Sequence, residues 1–320
     1  MKKALIIGIS GQDGSYLSEL LLNKGYEVHG TSRDADLSNF TGLKRLNIFD
    51  RIYLHSMSLV DFRSVMQNVL QIEPDEIYNL AGQSSVGLSF AQPVETLESI
   101  SVGTLNILEV LRFHNLKSRF YNACSSECFG DIEDKAANEL TPFRPRSPYA
   151  VAKSAAYWQV ANYREAYDLF SCSGILFNHE SPLRPRRFVT KKIIETACRI
   201  SRGEKIKIEL GNISIKRDWG WAPEYVDAMY RILQQDTPGD YVIATGTSTS
   251  LEDFVKITFE HLNLDYKKFL VLNENLVRPT DISFSLGDAR KAERELKWKS
   301  EVTLDKIIKL MIENELNGTI

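Results

Sequence analysis

The sequence predicts an α/β protein built on a doubly wound parallel sheet, with a smaller and mainly helical lobe towards the C-terminus. Strand-like apolar runs alternate with amphipathic helical stretches over residues 1–177. The first of these runs leads directly into a glycine-rich turn, and the alternation stops after residue 177. Strands and helices that alternate in this way form right-handed crossovers and a parallel sheet with helices on both faces.

The composition limits the possible classes of protein. The chain has 320 residues, of which 43% are apolar and 25% charged, as is typical of globular proteins. Lys and Arg total 39 against 42 Asp and Glu, and this balance argues against a nucleic-acid-binding protein. We find no apolar stretch of the roughly 18 residues that a membrane span requires, and no signal peptide. The four cysteines have neither zinc nor disulfide spacing, so we expect reduced thiols, no metal site and a cytoplasmic protein.

The first half of the chain supplies most of the predicted sheet. The run from Ala4 to Ile9 is continuously apolar, as in a strand buried on both faces. Gly25 and Pro74 mark the ends of two of the helices that follow strands. The predicted strands are Ala4–Ile9, Glu27–Thr31, Arg51–His55, Glu76–Ala81, Arg119–Ala123 and Ser171–Phe177. The predicted helices are Gly14–Lys24, Asp61–Ile72, Val94–His114 and Pro148–Tyr167.

The second half of the chain is less regular. Residues 178–221 contain one clear helix, from about Val189 to Arg202, and Pro223–Gln235 and Tyr241–Ala244 form one more helix–strand pair. From Ser250 onward the pattern is mainly helical, with an extended stretch at Val277–Leu286. We therefore expect a sheet domain at residues 1–177, to which residues 222–245 return. The lobe at 178–320 would be interleaved with it.

The glycine-rich turn predicts a dinucleotide site. Gly8, Gly11 and Gly14 lie between the first strand and the first helix in a G-x-x-G-x-x-G pattern. Glycines at this point let the backbone approach a pyrophosphate, which then binds the free amides of the helix N-terminus. A merely tight strand–helix turn is the alternative. The position at the first β–α junction favours a Rossmann domain that binds NAD or NADP.

The end of the second strand bears on the choice between the two cofactors. A carboxylate there binds the 2′-hydroxyl of NAD, whereas an arginine accommodates the 2′-phosphate of NADP. Ser32 stands at the usual acidic position and Arg33 follows it, which slightly favours NADP. Asp34 and Asp36 would repel the added phosphate, so NAD and a simple charged surface loop both remain open.

Four side chains suggest hydride-transfer chemistry. Tyr149 and Lys153 are four residues apart on one face of a predicted helix, where the ammonium would favour the ionised phenol. Ser125 and Glu127 follow the strand that ends near Ala123, at the edge where parallel sheets bind ligands. The hydroxyl, carboxylate, phenol and ammonium would then converge at a sugar or alcohol carbon. Two ordinary surface residues are the alternative for the Tyr–Lys pair alone.

With these motifs the sequence resembles the extended short-chain dehydrogenase/reductases, and among them the GDP-mannose 4,6-dehydratases. The resemblance covers essentially the whole chain. The stretches that carry it are Gly8–Leu17, Tyr78–Pro93, Ser125–Gly130, Thr141–Lys153, Asn162–Glu165, Gly174–Leu183, Phe188–Ile193, Arg217–Gly220 and Arg278–Asp281.

The resemblance implies a role for each matching residue. The implied catalytic residues are Ser125, Glu127, Tyr149 and Lys153. The implied cofactor-binding residues are Gly8, Gly11, Gln12, Asp13, Gly14, Arg33, Leu80, Ala81, Gln83, Tyr149, Lys153, His179 and Arg184. The implied substrate-binding residues are Ser84, Asn178, Lys192, Gly211, Asn212, Arg217, Arg278 and Asp281. Arginines and a lysine suit the charges of a nucleoside diphosphate, although salt bridges between lobes would also explain Arg217 and Arg278.

Three positions depart from the family pattern. Ser125 replaces the usual threonine and keeps its hydroxyl. Met57 and Ser58 replace Gly-Asp, which removes a carboxylate expected near the adenine. Pro185 and Arg186 replace a glycine and a non-basic residue, so we expect an additional positive charge near the substrate and cofactor.

The function implied by the resemblance is 4,6-dehydration of GDP-mannose or of a GDP-manno-configured sugar such as GDP-manno-heptose. Tyr149, assisted by Lys153, would take the C4 hydroxyl proton. Glu127 would then remove the C5 proton and, together with Ser125, assist loss of the C6 hydroxyl. The hydride would return to C6, so the NADP or NAD would stay tightly bound. Alternatives are a related enzyme that only oxidises C4 or reduces a 4-keto sugar, and a non-catalytic dinucleotide-sensing protein. A homodimer or homotetramer is also implied.

Overall fold

The structure is a computed structural model that describes residues 1–133 and 135–318. The strands within these residues are β1 (Lys3–Ile7), β2 (Glu27–Ser32), β3 (Tyr53–Ser56), β4 (Glu76–Asn79), β5 (Arg119–Ser125), β6 (Ser171–Leu176), β7 (Asn178–Glu180), β8 (Ile208–Leu210), β9 (Lys216–Trp221), β10 (Tyr241–Ile243), β11 (Ser248–Ser250) and β12 (Leu270–Leu272). The α-helices are α1 (Gln12–Asn23), α2 (Thr41–Arg45), α3 (Phe62–Ile72), α4 (Val86–Ala91), α5 (Pro93–Leu97), α6 (Gly103–Phe113), α7 (Pro148–Tyr167), α8 (Val189–Ser201), α9 (Ala222–Leu233), α10 (Leu251–His261), α11 (Arg290–Leu296) and α12 (Leu304–Asn317).

Seven strands form a fully parallel sheet in the order β10-β6-β5-β4-β1-β2-β3. The chain runs outward from β1 through β2 to β3 and then continues on the other side of β1 with β4. The strand order therefore reverses between β1 and β4, which is where doubly wound sheets bind their ligands. The predicted doubly wound parallel fold is confirmed.

Alternate residues of β1 show how both faces of the sheet are covered. Ala4 and Ile6 pack in a core with α1 and α9, whereas Leu5 and Ile7 pack in a second core with α3 and α6. All four side chains are buried. Because successive side chains of a strand point to opposite faces, a strand between two helical layers must be apolar throughout.

The strands and helices predicted before residue 177 are present, with ends shifted by a few residues. The predicted helix Val94–His114 is divided, because a π-helical turn at Glu98–Val102 joins α5 to α6. Strand β10 extends the sheet by pairing with β6 in parallel, so residues 241–243 lie in the main sheet.

The prediction of only one helix in residues 178–221 was incomplete. Strands β7, β8 and β9 flank α8, and they form two small sheets in the orders β11-β9-β7 and β12-β8. These strands have three to six residues, too few for a recognisable pattern. A separate core packs Ile193 from α8, Phe254 from α10 and Met311 from α12.

The predicted extended stretch Val277–Leu286 forms no regular strand. It contributes a single isolated bridge, between Phe284 and Lys216. Around that bridge the backbone N–H of Lys216 donates to the Ser283 carbonyl, and the N–H of Ser285 donates to the Lys216 carbonyl. The other backbone hydrogen bonds of the stretch are isolated ones, such as those that the carbonyls of Ile282 and Leu286 accept from the Arg217 guanidinium and the Ala137 N–H. Within the described part of the chain, no helix combines the length and apolarity required to cross a membrane.

Candidate active site

A cavity of about 370 Å³ opens where β4, β5 and β6 end. Residues after these three strands form one side of the cavity, and residues of the second half of the chain, from α8, β8 and β9, form the other. A ligand held here would contact the carboxyl edge of the parallel sheet, which is the usual binding edge in this architecture.

The four side chains of the expected catalytic set all line this cavity. Ser125 is the last residue of β5, and Glu127 lies in the short 3-10 turn that follows. Tyr149 and Lys153 lie in the first two turns of α7. That helix begins sharply because Ser147 accepts a hydrogen bond from the backbone of Ala150 and Pro148 occupies the first helical position.

The protonation of Tyr149 differs from the expectation drawn from its spacing to Lys153. Burial raises the pKa of the Tyr149 phenol, and a hydrogen bond with Ser125 only partly opposes this effect. Lys153 is also buried, and burial lowers its pKa. Its Nζ donates to the Ala123 carbonyl at 2.6 Å and lies 5.9 Å from the centre of the Tyr149 ring. Burial is therefore the largest influence on the phenol, and the pKa of Tyr149 lies above its ordinary value.

Glu127 carries a carboxyl group whose pKa is above its ordinary value. Burial is the largest cause, and the nearby Asp281 carboxylate acts in the same direction. The charges of Arg217 and Arg278 oppose the shift. A buried carboxyl group with a raised pKa is suited to exchanging a proton with a bound substrate.

The glycine turn packs tightly beneath the cavity. Gly8 has φ +87°, and a Cβ atom built there would lie 2.9 Å from the backbone of Ala81. At Gly14 a Cβ atom would lie 2.6 Å from the Cα of Ile9. At Gly11, by contrast, a Cβ atom would meet only the Gly8 carbonyl at 3.4 Å. Gly11 directly precedes α1, so no side chain caps the N–H groups at the start of that helix. The uncapped helix start and the open space at Gly11 fit a pyrophosphate.

Asp13 and His179 connect this turn to β7. His179 Nε2 lies 2.9 Å from Asp13 Oδ2, and its Nδ1 donates to the Phe177 carbonyl at 2.8 Å. Burial opposes charge on both groups, but each charge stabilises the other, so the pKa of Asp13 falls to about 2 and the pKa of His179 rises. Gln12 reinforces this connection, since it donates to the His179 carbonyl and accepts from the Ser181 hydroxyl.

The residues expected to bind a nucleoside diphosphate lie on the opposite side of the same cavity. Arg217 pairs with Asp281 at 3.0 Å, and Arg278 approaches the same carboxylate at 3.5 Å. Lys192 donates to the Glu209 carbonyl at 2.6 Å. The residues from both parts of the chain that were predicted as site residues and line the cavity are Asp13, Leu80, Ser84, Ser125, Glu127, Tyr149, Lys153, Asn178, His179, Arg184, Lys192, Gly211, Asn212, Arg217, Arg278 and Asp281.

The other predicted site residues lie outside this cavity. Gly8, Gly14 and Ala81 form the packed base of the turn. Arg33 is exposed beyond the end of β2. The Gln83 side chain is used within its own loop, where it donates to the Ser85 carbonyl and to Thr96. Gly11 and Gln12 line a second cavity on the other side of the turn.

Comparison with known proteins identifies the family. The family described as GDP-mannose 4,6 dehydratase matches residues 5–311. GDP-mannose 4,6 dehydratase 2 of Arabidopsis thaliana is 44% identical over 325 residues, which are 98% of this chain and 87% of that protein. The chain belongs to the GDP-mannose 4,6-dehydratase family. A GDP-mannose 4,6-dehydratase of Sinorhizobium fredii (strain HH103) is 42% identical over 99% of this chain and 97% of its own.

The fold is shared more widely than the sequence. The UDP-glucose 4-epimerase of Thermus thermophilus in complex with NAD superposes with a TM-score of 0.87 at 24% identity, covering 99% of this chain and 100% of that one. The resemblance to the GDP-mannose 4,6-dehydratase family drawn from the sequence motifs is confirmed.

Glu180 and Arg187 also line the cavity, although neither was among the predicted site residues. Glu180 is buried, accepts from Thr190 at 2.6 Å and pairs with Arg184 at 3.1 Å. The position of Glu180 directly after Asn178 and His179, both predicted site residues, is the feature of the sequence that could have identified it. Arg187 lines the cavity, whereas Arg186, the residue expected to add charge there, is 84% exposed and pairs with Glu195. Arg186 instead lines the second cavity, beside Gly11 and Gln12 of the glycine turn, so its charge lies near the expected cofactor site, whereas Arg187 lines the main cavity.

Proposed function

We propose that the protein is a 4,6-dehydratase that acts on GDP-mannose or on a GDP-manno-configured heptose. The observation that carries this proposal is that one cavity of about 370 Å³ is lined by two sets of residues. Cationic residues from the second half of the chain lie on one side, and the other side carries the acid–base set Ser125, Glu127, Tyr149 and Lys153. A proton-transfer site beside a diphosphate site suits a sugar joined to a nucleotide. Membership of the GDP-mannose 4,6-dehydratase family supports the same substrate class.

We further propose a tightly bound nicotinamide dinucleotide as cofactor, with NADP favoured. The uncapped start of α1 and the open space at Gly11 suit the pyrophosphate. Asp34 uses its carboxylate within its own loop, where it accepts from the backbone N–H groups of Asp36 and Leu37 at 3.0 Å. That use leaves Arg33 as the exposed side chain suited to a 2′-phosphate. When bound, the nicotinamide ring supplies a hydride acceptor and donor.

The chain's own residues would handle the protons. Tyr149 would take the proton of the C4 hydroxyl as that carbon is oxidised, acting in its ionised form, which the ammonium of Lys153 and the positive charge of a bound oxidised nicotinamide would favour. The resulting 4-ketone makes the C5 proton acidic, and Glu127 would remove it as a base. The same carboxyl group, now protonated, would return its proton to the departing C6 hydroxyl, assisted by Ser125. Water leaves, and a 5,6-alkene conjugated with the 4-ketone remains. Return of the hydride to C6 and of a proton to C5 would then give a 4-keto-6-deoxy sugar still joined to GDP.

We also propose that the protein is a homo-oligomer built through α5 and α7. These helices pack against each other, and their outer surfaces carry exposed apolar side chains. Val151 and Trp158, seven residues apart on α7, are 47% and 61% exposed, and Val94 and Leu97 on α5 are 67% and 44% exposed. Apolar side chains concentrated on one helical surface are typical of an interface.

Mass analysis of the reaction product tests the proposed function. We expect the purified protein to convert GDP-mannose into a product lighter by one water, and in deuterated water the product should carry deuterium at C5. GDP-manno-heptose is tested in parallel to identify the preferred sugar. A product that keeps its C6 hydroxyl while reduced cofactor accumulates would contradict dehydration and identify a 4-oxidase.

A further inference from the structure

Arg187 forms a bridge across the mouth of the main cavity. It follows the loop after β7 and precedes α8, and its Nη2 donates to the Ser84 hydroxyl at 2.8 Å. Ser84 lies between β4 and α4, on the sheet side of the cavity. The bond therefore joins two segments that are 103 residues apart in the chain.

The guanidinium of Arg187 has donors to spare. Within residues 1–133 and 135–318, the bond to Ser84 is its only hydrogen bond, and it forms no ion pair with a carboxylate. Its neighbour Arg184 pairs with Glu180, and both guanidinium groups lie over the ring of Phe188, at 3.7 Å for Arg184 and 5.3 Å for Arg187. An arginine held by stacking, with most of its N–H groups unused, can bind oxygen atoms of a ligand.

The surroundings of Ser84 indicate which part of a GDP-sugar Arg187 would contact. Val86, two residues after Ser84, packs against the cluster that contains Tyr149. The reacting sugar must touch Tyr149, so the Ser84–Val86 segment borders the place where the sugar would lie. The residues suited to the diphosphate, Arg217 and Lys192, instead hydrogen-bond to Asp281 and to the Glu209 carbonyl.

We infer that Arg187 is a substrate-specificity residue that donates hydrogen bonds to the hydroxyl oxygens of the sugar, and that Ser84 holds it in place. This inference rests on the proposed function. It assigns the selection of the sugar to the loop before α8, separately from the binding of the nucleoside diphosphate by α8, β8 and β9.

Comparison of two adjacent arginines tests the inference. Arg187→Ala is compared with Arg186→Ala, whose side chain is 84% exposed and faces Glu195. Binding of GDP-mannose and of GDP to each variant is measured by titration calorimetry. We expect Arg187→Ala to weaken GDP-mannose about tenfold and GDP less than twofold, because a hydrogen bond to a charged group is lost only with the sugar. We expect Arg186→Ala to match the wild type.

Two further variants refine the result. Arg187→Lys keeps the charge but has no planar fork, so we expect it to bind GDP-mannose between Arg187→Ala and wild type. Ser84→Ala should weaken GDP-mannose by a smaller factor than Arg187→Ala. Equal weakening of GDP and GDP-mannose by Arg187→Ala would assign the guanidinium to the diphosphate and overturn the inference, as would behaviour identical to that of Arg186→Ala. Failure of the wild type to dehydrate a GDP-mannose that it binds would overturn the proposed function alone.

Discussion

His179 Nε2 lies 2.9 Å from Asp13 Oδ2, and this buried pair joins β7 to the first turn of α1. The two residues are 166 positions apart, yet both line the cavity. The pair brings the glycine turn, suited to a dinucleotide, into direct contact with the part of the chain suited to the substrate.

This pair predicts a specific dependence of stability on pH. Because Asp13 raises the pKa of His179 in the folded chain, the pair contributes fully between about pH 4 and 6.5, the unfolded values of its two groups, and less as pH rises through the folded pKa of His179. We expect the free energy of unfolding to fall above about pH 6.5 in the wild type. Asp13→Asn should remove about 1.5–3 kcal/mol at pH 6 and flatten the dependence. Chemical denaturation between pH 5.5 and about 9 measures it. A slope unchanged by Asp13→Asn would contradict the assignment.

Tyr149→Phe should remove turnover while dinucleotide affinity is retained. The phenol acts on a substrate proton, and general acid–base groups contribute about 10²–10⁴-fold to the rate. Steady-state kinetics and fluorescence titration with NADP and NAD provide the two measurements. Tyr53→Phe is the matched control, because Tyr53 is 58% exposed on the outer strand β3. If Tyr149→Phe kept more than about a tenth of the wild-type rate, the base would be another residue.

Glu127→Gln should block the elimination of water, because the amide cannot take the C5 proton. We expect product formation to fall by about 10²–10⁴-fold and the exchange of deuterium into C5 to stop with it. Mass spectrometry of products formed in deuterated water measures both effects. Glu260→Gln, at an exposed ion pair with Lys256, is the control and should behave as wild type. Deuterium at C5 in the Glu127→Gln product would assign the proton transfer elsewhere.

Arg33→Ala should weaken NADP more than NAD. The guanidinium would pair with a 2′-phosphate, whereas the 2′-hydroxyl of NAD offers it no charge, so we expect a loss of about tenfold, or 1.4 kcal/mol, for NADP alone. Equilibrium titration of the chain freed of its cofactor provides the measurement. Arg51→Ala, at another exposed arginine, is the control. A wild type that already prefers NAD tenfold would show that Asp34 and Asp36 determine the choice.

Trp158→Lys should dissociate the proposed oligomer. A charge placed on this exposed surface of α7 would have to be buried in the interface without a partner. Analytical ultracentrifugation of the variant should show a species of lower mass than the wild type. Leu272→Lys, at a residue 60% exposed on β12, is the control and should leave the mass unchanged. Identical sedimentation of Trp158→Lys and wild type would place the interface on another surface.

The sequence alone determined the main sheet and the chemical character of the cavity. Continuous apolar runs such as β1 are required wherever a strand lies between two helical layers, so their pattern is readable without coordinates. Local signals were also sufficient for α7, where Ser147 and Pro148 define the helix start and the spacing of Tyr149 and Lys153 places them on one face. The family resemblance followed from the same contiguous motifs.

Only the tertiary structure decided which neighbouring side chains enter the cavity and how they are protonated. Nothing in the sequence distinguishes the adjacent residues Arg186 and Arg187. The turn before α8 leaves Arg186 outside the main cavity and makes Arg187 one of the residues that line it. Tyr149 likewise has a lysine four residues later in the sequence, yet burial is the largest influence on the phenol and raises its pKa. Burial and side-chain direction depend on contacts between distant segments, such as Arg187 with Ser84, which local sequence patterns do not encode.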